Sequence, residues 1–133
     1  MTAALTNAAL VGCGGFLGAL LRYGMSGLVQ RQVPLSTFPY GTLAVNLLGC
    51  LLIGAVVGLG DSRQLFGPET RTFLLIGLLG SFTTFSTFGY ETFALLRDGE
   101  NLQAAAYVGL HLVLGPAVVW LAYALARWEG GGA

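Results

Sequence analysis

Charged residues divide this chain into four long uncharged runs, 1–21, 32–60, 72–90 and 101–126. A helix rises 1.5 Å per residue, so about 20 residues cross the hydrocarbon core of a bilayer, and each run is near that length or longer. Backbone N–H and C=O groups in hydrocarbon must be bonded within the chain, which makes helices the natural form for such runs. Composition points the same way. Charged residues are 9% of the chain, against about 25% in soluble domains. Hydrophobic residues reach 55% and mean hydropathy is +0.75. Disorder, a nucleic-acid partner and a secreted disulfide scaffold are poor readings of this composition. The expected fold class is an all-α membrane protein of four transmembrane helices in one domain spanning 1–133, its medium the lipid bilayer.

The helices are predicted at about 5–29, 40–60, 72–96 and 102–128. Pro34 and Pro39, then Gly67-Pro68, then Asp98-Gly99 punctuate the three connections with turn chemistry. Short connections make consecutive helices antiparallel neighbours. The first basic residue, Arg22, follows the first apolar run instead of preceding it, so that run is expected to remain as a helix and not to be a signal peptide. Cys13 and Cys50 lie in apolar runs without metal-ligand spacing, and each reads as a small packing residue. Gly14/Gly18 and Gly54/Gly58 have the four-residue spacing that lets helix backbones approach closely in lipid.

Six Arg balance six acidic residues and there is no Lys, so no basic patch suits a phosphate-rich partner. With four spans, the side holding the first and third connections receives Arg22, Arg31 and Arg97. The other side receives Arg63, Arg71 and Arg127. An even division gives no orientation signal. A chain that inserts both ways can pair with an inverted copy of itself, which makes an antiparallel homodimer the expected assembly.

Polar residues in hydrocarbon are costly and mark either interhelical hydrogen bonds or a pathway. Thr42 and Asn46 share one face of helix two, and the Asn46 NH₂ is a donor that can solvate an anion without holding it as a fixed charge does. Gly77 through Phe88 in helix three contain five hydroxyl residues and two Gly. That composition favours a break near the middle of the helix, whose carbonyls would suit a hard monovalent cation. Phe82, Phe85 and Phe88 recur every three residues, and the positively polarised edges of a Phe pair can face an anion. Tyr107, His111 and Gly115 fall on one face of helix four, followed by Pro116. No second His, Cys or acid at helical spacing builds a metal site on His111. Nor do catalytic residues occur in a recognisable enzyme pattern; Glu91 is the only acid near a span interior.

Three segments carry a resemblance. Gly14 through Tyr23 resembles the GGxxGAxxRY motif of the small bacterial fluoride channels of the Fluc, or CrcB, family. Gly41 through Gly49 resembles its GTLxVNxxG, and Gly80 through Phe88 its GxxTTFSTF. The resemblance implies a fluoride-selective channel in the bacterial inner membrane that lets fluoride leave the cytoplasm passively and protects the cell from its toxicity. It also implies an antiparallel, dual-topology homodimer with two pores. By motif position, Asn46 would be a pore donor and Phe85 and Phe88 the rings contacting fluoride. Gly80 and Thr83 carbonyls would hold a structural sodium ion that is not transported, and Arg22 would make the vestibule positive. Thr42, Ser86, Thr87 and Tyr107 would line the polar side. Helix four departs from the family pattern, which has small hydroxyl residues below the tyrosine where this chain has His111 and Gly115. That departure places His111 as a candidate pore residue. A proton-coupled four-helix multidrug antiporter shares the size but needs a carboxylate in helix one, and positions 1–29 contain no Asp or Glu.

The even Arg division has a direct test. Two or three Lys added to one side are expected to force a single orientation and leave the protein inactive alone, with activity restored by an oppositely biased copy. Full activity from a population shown to insert one way would contradict the antiparallel pair.

Overall fold

A computed structural model describes residues 2–63 and 65–130, and among these the secondary structure is entirely helical. Helix α1 spans Thr2–Arg31 and α2 spans Tyr40–Arg63. The third membrane-length element, Pro68–Arg97, is composite. It begins with α3 (Pro68–Arg71), widens into a π-helical stretch (Thr72–Leu79), continues as α4 (Gly80–Phe82), and resumes as α5 (Phe85–Arg97) after two extended residues. Helix α6 spans Asn101–Gly130. Four elements are thus long and apolar enough to cross a membrane.

The burial pattern fits a lipid solvent. Leu5, Leu20, Leu28, Leu51, Ile76 and Leu121 are exposed, whereas the interior is rich in Gly and small or hydroxylated residues, with Thr42 and Thr84 both buried. Without hydrophobic gain between helices in lipid, association depends on close van der Waals contact, and the glycines provide it. A methyl group on Gly14 would lie 2.8 Å from the Phe73 carbonyl oxygen, and one on Gly18 would overlap the Leu78 carbonyl. This pair therefore seats α1 on the π-helical stretch. On the other side of the bundle, a methyl on Gly54 would overlap the Val119 carbonyl. One on Gly58 would lie 2.7 Å from the Tyr123 carbonyl oxygen. Ala122 and Ala126 of α6 are buried at this contact, so small residues face small residues where α2 meets α6.

The connections close the remaining helix ends. Gln30 donates from Nε2 to the Phe38 carbonyl at 3.3 Å and accepts at Oε1 from the Gly41 N–H at 3.2 Å. One side chain thus ties the first connection to the first turn of α2, whose N–H groups lack helical partners. After α5, Gly99 adopts φ +82. Gly99 N–H donates to the Leu96 carbonyl and Glu100 N–H to the Leu95 carbonyl. This is a Schellman ending, in which a left-handed residue satisfies the last carbonyls. At that turn the Arg97 guanidinium lies 2.8 Å from Asp98 and holds its carboxyl below the usual carboxylate range. At the opposite end, Arg71 pairs with Asp61 at 3.2 Å, and Tyr123 donates to the same carboxylate at 3.4 Å.

Substituting Gly58→Val is expected to destabilise the bundle by about 1–3 kcal/mol, because the branched side chain meets backbone and not a yielding side-chain tip. Gly12→Ala, where nothing lies within 4 Å, is expected to stay within about 0.5 kcal/mol. Unfolding of the purified variants in mixed micelles measures both; equal stability of the two variants would contradict the packing.

Candidate functional site

The site forms where the composite third element loses its helical backbone. Thr83 (φ −81, ψ 159) and Thr84 (φ −150, ψ 116) are extended, both within the hydroxyl-rich run. Gly49 makes room for them, since a methyl there would overlap the Thr83 side chain. One turn earlier on the same face of α2, Asn46 grips Thr84 from both sides. Its Oδ1 accepts from the Thr84 N–H at 2.9 Å and its Nδ2 donates to the Thr84 carbonyl at 3.2 Å. A backbone segment without helical bonds therefore finds its partners in one amide, in a medium where unsatisfied groups cost several kcal/mol.

Thr84 also starts the next helix. Its Oγ1 accepts from the Thr87 N–H at 3.2 Å and donates to the Thr87 hydroxyl at 2.9 Å, a side-chain N-cap for α5. The positive end of the α5 dipole consequently sits beside Phe85, Ser86 and Thr87. The Phe85 and Phe88 rings lie 5.5 Å apart with planes at 45°. Phe82 instead points into the core, so the triplet divides. Phe85 is 82% exposed on the isolated chain.

These diversions leave two carbonyls without their usual α-helical donors. The N–H groups that would close onto Gly80 and Thr83 belong to Thr84 and Thr87, and each is given to a side chain instead. Backbone oxygens released in this way are the donor type that suits a hard monovalent cation. Among the described residues, no group of three His, Cys, Asp or Glu could hold a metal.

Two cavities meet at Thr84. One, of about 370 Å³, is lined by Arg22, Tyr23, Ser26, Thr42, Thr84 and Thr87 among others. The other, of about 320 Å³, is lined by Asn46, Gly80, Thr83, Phe85, Phe88 and His111 among others. Arg22 thus faces one cavity and the Phe pair the other, with Thr84 in the wall of both.

An aromatic chain backs the second cavity. The His111 ring lies 4.5 Å from Phe88 and 4.5 Å from Tyr107, which meets Phe38 edge-on at 5.5 Å. His111 Nε2 is 3.2 Å from Asn46 Nδ2, and Nδ1 is 2.9 Å from the Tyr107 carbonyl oxygen. Tyr107 is fully buried, and its hydroxyl donates to Glu91 Oε2 at 2.7 Å. Thr42 donates to the other carboxylate oxygen at 2.9 Å. Sequence reasoning noted Glu91 but gave it no part in the site. Its position three residues after Phe88 put it on the same face of α5, and that spacing was the available signal.

The residues of all three motifs therefore meet around one segment of backbone. The sequence profile of the family described as CrcB-like protein, Camphor Resistance (CrcB) matches residues 9–123. The chain belongs to this family. A relative from Nitratidesulfovibrio vulgaris (strain DSM 19637 / Miyazaki F), named fluoride-specific ion channel FluC, is 48% identical over 118 residues, covering 89% of this chain and 94% of the relative. Proteins with the same name from Chlorobium chlorochromatii and Chloroflexus aurantiacus are 47% and 44% identical, over 92% and 96% of this chain and 93% and 100% of their own lengths. With four membrane-length apolar helices, this CrcB-family chain is a multi-pass membrane protein.

The Glu91 contacts generate a stability test. Glu91→Ala leaves the buried Tyr107 hydroxyl without its acceptor and is expected to cost about 1–3 kcal/mol. Combining it with Tyr107→Phe is expected to recover much of that loss, because the orphaned hydroxyl is then gone. Strictly additive losses in an unfolding titration would contradict the direct coupling.

Proposed function

We propose that the chain is a fluoride-selective channel that conducts the anion passively out of the cytoplasm of a bacterium, across its inner membrane. The reading rests chiefly on one arrangement: the Asn46 amide, the α5 N-terminus and the Phe85/Phe88 pair converge at the wall between two cavities. Four relatives from four organisms, at 43–48% identity, carry the fluoride-channel name. The protein is a pore and not an enzyme.

Arg22 raises the local anion concentration in the first cavity without gripping the ion. Thr42, its hydrogen given to Glu91, and Thr87 line the polar wall there. The hydroxyl of Thr87, with that of Ser86 next to it in sequence, replaces part of the ion's water shell. Past Thr84, the edges of Phe85 and Phe88 offer weak positive potential. They provide no hydrogen bond for water, so a small anion is solvated by the pore in steps and released again. Tyr107, held through its hydroxyl by Glu91, forms the stiff back of this path. Fluoride enters cells as its neutral acid and dissociates inside. A negative-inside potential then drives the anion out at about 2.3 kcal/mol per 100 mV, and no ATP or coupled proton is needed.

Helix three is read as broken at Thr83–Thr84, where Gly80 and Thr83 carbonyls would hold a structural sodium ion. Such an ion would supply a fixed positive charge that engages the released carbonyl dipoles and stiffens the break. The working form is read as an antiparallel, dual-topology homodimer. The exposure of Phe85 supports this, since an inverted copy would cover the ring, as does the even Arg division.

Purified protein in liposomes loaded with fluoride is expected to release it once a potassium ionophore balances charge. Chloride-loaded vesicles should release theirs more slowly by about tenfold or more, a difference of about 1.4 kcal/mol in the barriers. Equal efflux of the two anions would contradict selectivity.

A further inference from the structure

The hydrogen bonds around Asn46 determine where the His111 proton sits. A backbone N–H can only donate, so the Asn46 atom facing Thr84 N–H is Oδ1, and Nδ2 is the atom facing both the Thr84 carbonyl and His111. An amide nitrogen can only donate. His111 Nε2, 3.2 Å from Nδ2, is therefore an acceptor without a proton. On the other side of the ring, the Tyr107 carbonyl can only accept, so Nδ1 carries the proton and donates to it at 2.9 Å. Two independent partners impose the same tautomer. In this state both N–H bonds of the Asn46 amide are consumed, one by Thr84 and one by His111. The amide that should serve the anion has no hydrogen left to offer.

We propose that His111 is a protonation latch on the Asn46 donor, a positioning residue that sets anion affinity. The inference rests on the fluoride-channel reading. Neutral His111 occupies the second Asn46 N–H. When Nε2 gains a proton it can no longer accept from the amide hydrogen, and the imidazolium shifts off it while Oδ1 and the other N–H of Asn46 keep their hold on Thr84. That N–H and the new Nε2–H both become available to the cavity that His111, Asn46, Phe85 and Phe88 line. The proton comes from hydronium, which leaves as water; the Asn46–His111 hydrogen bond is lost and no other covalent bond is made or broken. The Phe88 ring, 4.5 Å away, can carry the added positive charge on its face.

Three titratable groups face this centre from the elements packed around it. Cys50 of α2 lines the same cavity, Tyr107 is one turn back on α6, and Glu91 of α5 is linked through the Tyr107 hydroxyl. A histidine side chain typically gains its proton between about pH 8 and 5, a range in which thiol and phenol ordinarily stay protonated. The latch therefore opens as pH falls, the condition in which fluoride enters as its neutral acid.

His111 is the single histidine of the chain, so ¹⁵N-histidine labelling of the purified full chain gives one imidazole spectrum. It is expected to show a protonated Nδ1 and a bare Nε2 near pH 8, and two protonated nitrogens after acidification. A protonated Nε2 with a bare Nδ1 at the higher pH would overturn the latch. In proteoliposomes, with protein-free vesicles subtracted, the half-saturating fluoride concentration is expected to fall about fivefold from about pH 8 to pH 5. That factor corresponds to one net hydrogen bond gained. His111→Gln keeps an acceptor for Asn46 but cannot titrate, so it should conduct fluoride with a half-saturation constant across that range. The same pH dependence in His111→Gln, or none in the natural chain, would overturn the latch. Indifference of both proteins to fluoride against chloride would instead overturn the channel reading, and the imidazole spectrum still decides the latch.

Discussion

The double hydrogen bond from Asn46 to the backbone of Thr84 is the contact on which the rest of the site depends. Inside a bilayer an interrupted helix exposes amide groups that no water can reach, and a single planar amide supplies both a donor and an acceptor to the same residue. Once Thr84 is held in this way, its hydroxyl is free to cap α5, and the cap fixes where Phe85 and Phe88 lie. The same grip withdraws the Thr84 N–H from the Gly80 carbonyl. The placement of the Phe pair and the release of the Gly80 carbonyl therefore arise from one backbone event.

Packing supplies the precision. Glycine at 49 lets Thr83 reach α2, and Gly54 and Gly58 seat α6 so that His111 comes within bonding distance of Asn46. Side chains at these positions would move the helices apart and break contacts near 3 Å. The close approach of α1 to the π-helical stretch at Gly14 and Gly18 places Arg22, one turn further on, at the first cavity. Structural glycines and functional polar groups alternate along the same helices because each close approach positions the next polar contact.

Much of the fold was legible in the sequence because a bilayer imposes a length and a charge rule, and 9% charge clustered at run ends obeys both. The glycine pairs were equally readable, since their four-residue spacing has one physical use in lipid. What the sequence did not reveal depends on three-dimensional partners. The π-helical stretch at Thr72–Leu79 has no compositional mark, being apolar like its neighbours. Asn46 read equally as an interhelical hydrogen-bonding residue or a pore donor, because a sequence cannot show that Thr84 and His111 claim its hydrogens. Glu91 stood out as a lone acid, yet its place between Thr42 and Tyr107 needs α2, α5 and α6 assembled. Phe82 shares a three-residue repeat with Phe85 and Phe88 but faces the core, because the extended pair at 83–84 resets the helical phase between them.

Selective passive conduction is the central claim, and current through the purified protein in a planar bilayer tests it most directly. With unequal fluoride on the two sides and all other ions matched, the voltage of zero current is expected to lie at the fluoride equilibrium potential. It should stay there when a chloride or sodium gradient is added. A zero-current voltage that follows the chloride or sodium gradient would contradict a fluoride-selective pore.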